Sequence, residues 1–419
     1  MNSIKSITIF CPSVKGGGTP FLYGRIAKYI KLNSNYELSV IDFEDGFIKQ
    51  FLQQNNIVFR DILFKPDEAN IIEEPTILII DLLTSKLLGK LIQVNKKSCL
   101  LLVCTFPFDG FKYIPTATMV YKWSKENKRN WGLFLHPLYR RKVRRFLDLA
   151  TVKNGLGYMD MENYEANQYI FDLKNQPTIL PIFTEPPINK KALFSNGNHF
   201  NIVWVGRLTD FKHLPVCAIM DTLELLQQQN GNRFTFHIVG DGQHFDIVKE
   251  YSARLKNIEV IFYGHLAESE VNDLLLKNGD VAIGHGTSIL EAAKLGVPAL
   301  LVNGAYFKPE VKDLKAIWLY KAENYFVGRI ATKPDEFIGV KILDILKDLT
   351  AKSLQSIGDK CYDYWNEHHN IEKIGSKYLT MLDNGSFTYE DYLRTGIKKL
   401  GLLGSVAQGV KNVISRYKK

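Results

Sequence analysis

The chain has 419 residues, of which 46% are hydrophobic and 23% charged, the proportions of a soluble globular protein with sizeable cores. They exclude a mainly disordered, collagen-like or disulfide-scaffold chain, and the length suits two domains of about 200 residues each. Lys and Arg number 53 against 44 Asp and Glu, and the net charge of +9 points to an anionic partner: nucleotide, nucleic acid or membrane surface.

From the amino terminus, short β-branched runs alternate with longer mixed segments. SITIFCP (6–12), ELSVIDF (37–43), TILIIDL (76–82), CLLLVCT (99–105) and LATVKN (149–154) read as strands, with a helix over 21–32. Short, nearly all-apolar strands separated by helices predict a parallel sheet covered on both faces. The Pro-rich stretch ILPIFTEPPINK (179–190) and SNGN (195–198) interrupt the pattern and mark a domain boundary near 190. The alternation then restarts, with strands over 201–207, 234–242, 258–264, 280–286 and 298–303 and helices over 214–229, 244–256, 268–278 and 288–296. The reading is an α/β chain with an amino-terminal domain (1–190) and a carboxyl-terminal domain (191–365). A return helix (366–385) packs on the first domain, and a basic amphipathic tail (386–419) follows. Ligands of such doubly wound sheets bind beyond the carboxyl ends of the strands.

Cys11, Cys99, Cys104, Cys217 and Cys361 form no CxxC pair and read as buried free thiols of a reducing cytosol. No run approaches the ~18 apolar residues of a spanning helix. Lys15 and three glycines follow the short apolar start, so no signal peptide is expected.

Several glycine-bearing loops follow strands. In KGGGTP (15–20), Gly16, Gly17 and Gly18 at a strand-to-helix turn let backbone N–H groups approach an anion, although a plain tight turn has the same composition. In GRLTDFK (206–212), Arg207 and Lys212 follow a strand end, where a fork-shaped cation and a point charge can converge on a diphosphate; the alternative is a solvated loop. Gly240 of IVGDGQ and Gly264 of FYGH allow close approach to a ring or phosphate, or simply turn the chain. In DVAIGHGTSILEAAKLGVPALLV (280–302), a strand runs into Gly284–Ser288 and a helix begins near Ser288. Glu291 is expected in its first turn, facing sugar hydroxyls or merely complementing the helix dipole.

GRLTDFK, VGDG, YGH and GHGTSILEAAKLGVPALL, in this order, resemble the carboxyl domain of retaining GT-B glycosyltransferases, in particular glycosyltransferase family 4. The resemblance covers roughly 200–305 and extends more weakly over 1–190. It implies a GT-B fold, two Rossmann-like doubly wound domains facing a central cleft, and transfer of a sugar from a nucleotide-diphosphate sugar. It implies that Arg207 and Lys212 bind the donor diphosphate and Glu291 the ribose. Gly286, Thr287 and Ser288 would give backbone contacts to phosphate and sugar, and Gly16 to Gly18 would face the phosphate and acceptor. Two positions depart from the family. Ile283 stands where a second glutamate usually contacts the donor sugar, a role that His285 or a backbone group could take over. No histidine follows the strand ending in CTFPFDG (104–110), where Asp109 is the nearest polar candidate and a turn residue by its alternative reading. Diphosphate stabilisation and positioning carry such chemistry more than a strong base does. No DxD-type cluster, metal site or cofactor is expected, and the adjacent His368 and His369 point to different helix faces.

Segment 121–146 contains nine Lys or Arg and one Glu, interleaved with Tyr121, Trp123, Trp131, Phe134, Tyr139 and Phe146. From Arg394 onward there are seven basic residues and no acid, on an apolar stripe at helical spacing. Both suit an anionic bilayer surface, with Lys122, Trp123, Arg140, Arg141, Arg144, Arg145, Lys398, Lys399 and Lys411 as contacts. A solvated helix face with buried aromatics, nucleic acid or a partner helix are the alternatives.

The expectation is therefore a cytoplasmic transferase at the inner face of the cell membrane, acting on a glycan or lipid-linked acceptor in cell-surface polysaccharide, lipopolysaccharide or capsule synthesis. Its rivals are a non-catalytic GT-B-like protein that binds membrane or nucleic acid, and a sugar-nucleotide epimerase. A nicotinamide oxidoreductase lacks its dinucleotide fingerprint.

Overall fold

The computed structural model describes residues 4–107, 109–113, 137–195 and 197–397. These fall into two compact units, one drawn from Met1–Ile182 and Ile374–Lys419 and the other from Phe183–Lys373.

In the first unit the strands are β1 (Ser6–Phe10), β2 (Glu37–Asp42), β3 (Arg60–Leu63), β4 (Asn70–Ile72), β5 (Ile77–Asp81), β6 (Ile92–Val94), β7 (Cys99–Cys104), β8 (Leu156–Tyr158) and β9 (Thr178–Ile179). Seven form one parallel sheet in the order β3-β2-β1-β5-β7-β8-β9, while β4 pairs with β6. Every residue of β5 and β7 is buried, as the unbroken apolar runs require of strands covered on both faces. The order reverses at β1, so the loops after β1 and β5 flank the switch point.

The segment 149–154 is not a strand. Pro137–Val152 is a helix, and β8 follows it. Val143, Phe146, Leu147 and Ala150 are buried at helical spacing, and this repeat outweighs the β-branched character of the last turn. The same helix corrects the reading of 121–146 where it is described. Phe146 is core, Arg140 donates from Nε to the Ile170 carbonyl at 2.6 Å, and Arg144 pairs with Asp172 at 3.0 Å. Arg141 and Arg145 remain exposed. Lys122, Trp123, Lys398, Lys399 and Lys411 lie outside the described residues.

The expected tail also changes character over its first twelve positions. A short helix, Tyr389–Arg394, follows Phe387, and Phe387, Tyr389, Tyr392 and Ile397 are buried in the same core cluster as Phe146. Just before it, helix Ile371–Asn384 brings Tyr378 within 3.2 Å of the Leu180 and Pro181 carbonyls.

The second unit contains β10 (His199–Val205), β11 (Arg233–Val239), β12 (Glu259–Gly264), β13 (Val281–Gly284), β14 (Ala299–Val302), β15 (Gly304–Ala305), β16 (Lys315–Trp318), β17 (Ile330–Ala331) and β18 (Val340–Lys341). Its seven-stranded sheet runs β12-β11-β10-β13-β14-β16-β18, parallel from β12 to β14 and antiparallel beyond, with β15 paired to β17. The order reverses at β10. A crevice is therefore expected between the loops that leave β10 and β13, which are 206–212 and 284–288. All five cysteines are buried free thiols. No helix among the described residues is long and apolar enough to cross a membrane.

Candidate functional site

The loops at the carboxyl ends of β10, β11 and β12 are stitched together by backbone. Gly206 donates to the Val239 carbonyl at 2.9 Å, Leu208 to Asp241 at 2.7 Å and Gly240 to Gly264 at 2.7 Å. Gly240 has φ +130°, and a Cβ there would lie 2.3 Å from the Gly206 carbonyl oxygen. Only glycine satisfies both conditions. We expect Gly240→Ala to push the 206–212 loop outward and weaken anion binding there at least tenfold, measurable by titration calorimetry, while the sheet core keeps its circular dichroism.

Arg207 lies exposed just past β10, and Lys212 immediately precedes helix His213–Asn230. Neither forms an ion pair with a described residue. Burial, with Arg207 as a second cause, holds the Lys212 ammonium down to about 8. Two cations kept near each other, with Asp210 of the same loop in no ion pair with either, form a site that an anion relieves.

On the facing side of the switch point, Gly286 adopts φ +71° and starts helix Thr287–Lys294 with no side-chain cap. Its own N–H donates to the Val327 carbonyl at 2.7 Å, and Ser288 Oγ donates to the His285 carbonyl at 3.2 Å. The first-turn amides at Thr287 and Ser288 are thereby offered to an anion. His285 links the two loops. Its ring lies 6.0 Å from Trp204 edge-on and 5.9 Å from Phe211, and its ring nitrogens are buried. Burial first, and then Lys212, push its pKa well below the usual imidazole range, so the ring is neutral at pH 7. His285 therefore packs between the loops, with its ring nitrogens away from solvent. Ile283 is core, 1% exposed within β13.

Glu291 is in the second turn of its helix, not the first. It forms an ion pair with Lys294, which also reaches Glu268 at 3.3 Å. Its carboxylate is thus oriented by a neighbour and does more than complement the helix dipole.

In the first unit, the 15–18 loop leads into helix Gly18–Asn33, whose start has no side-chain cap. Asp109 lies just after β7, 1% exposed, with its N–H on the Phe106 carbonyl at 3.2 Å. This burial keeps it from bulk solvent. The acid at the end of β2, Asp42, occupies the place where dinucleotide-binding folds hold a ribose. It is consumed by backbone donors, Ser13 N at 2.8 Å among them, which argues against nicotinamide binding. Nothing in the sequence singled Asp42 out beyond an acid closing an apolar strand. Among the described residues, no group of three or more His, Cys, Asp or Glu is placed to hold a metal ion.

Residues 187–329 match the family model described as Glycosyl transferases group 1, and this span contains both switch-point loops of the second unit. No curated protein matches the chain at a significant level. Among solved structures, the chain is similar to TarM of S. aureus, crystallised as a point mutant with fondaparinux, alpha-GlcNAc-glycerol and UDP. That match has a TM-score of 0.56 at 12% identity over 91% of this chain and 100% of that one. It is also similar to Anabaena Alr3699/HepE in complex with UDP and glucose, with a TM-score of 0.51 at 15% identity over 90% of this chain and 99% of that one. The lipopolysaccharide outer core galactosyltransferase WaaB gives a TM-score of 0.52 at 13% identity, over 91% and 99% of the two chains. The chain has the GT-B fold, and the match of residues 187–329 to Glycosyl transferases group 1 makes it by class a glycosyltransferase.

Proposed function

We propose that the chain moves a sugar from a nucleotide-diphosphate sugar, held by the second unit, to a glycan or lipid-linked acceptor received by the first. The configuration at the sugar carbon is retained, as the resemblance to glycosyltransferase family 4 implies, and the setting is cell-surface polysaccharide or lipopolysaccharide synthesis. The observation that carries this reading is the Arg207–Lys212 pair at the strand-order reversal, in no ion pair with a described residue and facing an uncapped helix start.

In the proposed reaction the bond from the sugar carbon to the diphosphate oxygen breaks and its electron pair stays on the diphosphate. The acceptor hydroxyl forms the new bond and its proton passes to a diphosphate oxygen. Arg207 and Lys212 offset the charge that builds there, while the amides at Thr287 and Ser288, aligned by the turn at Gly286, hold phosphate and sugar oxygens. Gly240 and Gly264 let nucleotide atoms come close to backbone. Glu291, steadied by Lys294, accepts hydrogen bonds from the ribose hydroxyls. Gly16, Gly17 and Gly18 face the acceptor side, where Asp109 is the nearest acid.

The membrane part of the proposal places the protein at the inner face of the cell membrane. The exposed Arg141 and Arg145, together with Lys122, Trp123, Lys398, Lys399 and Lys411, would meet anionic headgroups. Arg140 and Arg144, only partly exposed, are also bonded within the fold, to Ile170 and Asp172.

Thermal unfolding with nucleosides, nucleoside diphosphates and inorganic pyrophosphate tests the donor site. A diphosphate at a hundredfold excess over its dissociation constant should stabilise the fold by about 2.7 kcal/mol. No shift with any nucleoside diphosphate would remove the reading. Glu291→Ala should lower the affinity for UDP by roughly tenfold and leave that for pyrophosphate unchanged. If 2′-deoxy- and 3′-deoxy-UDP bound the wild type as well as UDP does, Glu291 would have no ribose role.

A further inference from the structure

Asp42 closes β2 and is 0% exposed. Its Oδ1 accepts from the backbone N–H of Ser13 at 2.8 Å and of Phe43 at 2.9 Å, and its Oδ2 from Ile48 at 3.0 Å. Gly46 seats against this carboxylate so closely that a Cβ there would lie 2.2 Å from the carboxyl carbon. The donors beyond Asp42's own neighbour come from two segments, the loop after β1 and the start of helix Phe47–Gln54.

Both segments lead to the glycine loop. Ser13 Oγ donates to the Lys15 carbonyl at 2.8 Å, and Phe47 N donates to the Ser13 carbonyl at 2.6 Å. The Phe47 ring lies beneath Gly16, where a Cβ would come within 2.9 Å of it, and meets Phe21 edge-on at 4.6 Å. Three consecutive glycines have no side chains to define their own path and lose the most backbone freedom when ordered. Their shape is therefore set from outside.

We propose that Asp42 is the positioning residue of the 15–18 loop: its carboxylate gathers the N–H groups of Ser13, Phe43 and Ile48 and so pre-shapes the loop's backbone donors for an anionic group of the acceptor or donor. The identity of that anion rests on the function proposed above; the clasp itself does not.

The carboxylate's own chemistry supplies a readout. Burial outweighs the backbone hydrogen bonds and holds Asp42 up to about 6. Protonation places hydrogen on one oxygen and displaces a donor. The neighbouring titratable groups are Cys11 just past β1, itself pushed up by burial and then by Asp81 and Asp42, and Lys49 on helix Phe47–Gln54, which pairs with Asp61 at 2.9 Å. On helix Gly18–Asn33, Arg25 lies over the Phe21 ring at 5.5 Å.

Site-resolved amide hydrogen exchange on the full chain tests the clasp. At pH 7, Asp42→Asn turns an amide donor toward backbone donors. It should speed exchange at Ser13 and Ile48 at least tenfold while β10–β14 stay unchanged. Gly46→Ala should do the same by displacing an intact carboxylate. In the wild type, protection at Ser13 and Ile48, corrected for intrinsic rates, should fall as pH drops from 7 to 5, and Asp42→Asn should abolish that dependence. A flat wild-type profile would overturn the proposal, as would unchanged protection in Asp42→Asn. UDP affinity, measured in parallel, tests the function proposed above: its absence in the wild type would sink that function and leave the exchange result standing.

Discussion

Lys212→Ala is expected to weaken binding of a nucleoside diphosphate by roughly tenfold to a hundredfold, because a hydrogen bond to a charged group contributes about 1.5–3 kcal/mol. Arg207→Ala should lose a similar amount, and the two losses should not add, since both cations meet one ligand. The pH dependence separates them. Lys212 has its pKa held down to about 8 by burial and then by Arg207. It is a cation below that pH and increasingly neutral above it, so wild-type affinity for UDP should be full below about pH 7 and fall as pH rises through 8 and 9. The unliganded protein should respond in the opposite sense. An ammonium whose folded pKa lies below its unfolded value disfavours the fold at low pH, so that cost disappears as pH rises from 8 toward 10.5. Lys212→Ala should remove both trends. Calorimetric titration of UDP at pH 6.5, 8 and 9 reads the first, and thermal unfolding without ligand reads the second. A UDP affinity that stays constant from pH 6.5 to 9 would remove Lys212 from the diphosphate site.

The glycine-bearing loops were readable in the sequence because apolar strands end abruptly at them. Gly206, Gly240, Gly264 and Gly286 all lie where β10 to β13 end or turn, and the reversal of strand order brings two of these loops to one crevice. Side-chain direction was less readable. His285 sits in a glycine turn and invites a ligand role, yet Trp204 and Phe211 enclose its ring. Glu291 lies in the second turn of its helix where the first was expected, and it pairs with Lys294. Asp42 gives no signal except its place, because three of its partners are backbone groups that any residue types could supply. The short strands β3, β9, β16 and β18 lie at or near sheet edges, and most are too brief for an apolar run to show. The segment 149–154 misled for a related reason. The last turn of a helix carries Leu149, Thr151 and Val152, and the four buried positions that define its face begin six residues earlier.

An apolar stripe with basic neighbours reads alike whether it faces a bilayer or a core, and Phe387, Tyr389, Tyr392 and Ile397 face a core. Deleting 392–419 and deleting 398–419 should therefore give different proteins. Tyr392 is 1% exposed, its hydroxyl donates to the Ser85 carbonyl at 3.2 Å and its ring meets Phe146 at 5.6 Å; Ile397 is 2% exposed in the same cluster. Removing a buried aromatic of this kind costs roughly 3–5 kcal/mol. That is a large share of a net stability of roughly 5–15 kcal/mol. Deletion from 392 should thus lower the melting temperature sharply or cause aggregation, whatever its effect on membranes. Deletion from 398 takes away six basic residues and no acid while leaving Tyr392 and Ile397 in place. Each basic residue near an anionic surface contributes ~1 kcal/mol, so this shorter cut should release the protein from anionic vesicles without moving the melting temperature. Added salt should weaken wild-type binding, because screening shortens the reach of these charges. Charge reversal at the exposed Arg141 and Arg145 should release a further fraction. Co-sedimentation with vesicles of anionic and of neutral lipid reads all three. Equal pelleting of the wild type and the chain ending at Ile397 would show that residues 398–419 do not hold the protein to the bilayer, and a salt-independent wild type would show that charge does not.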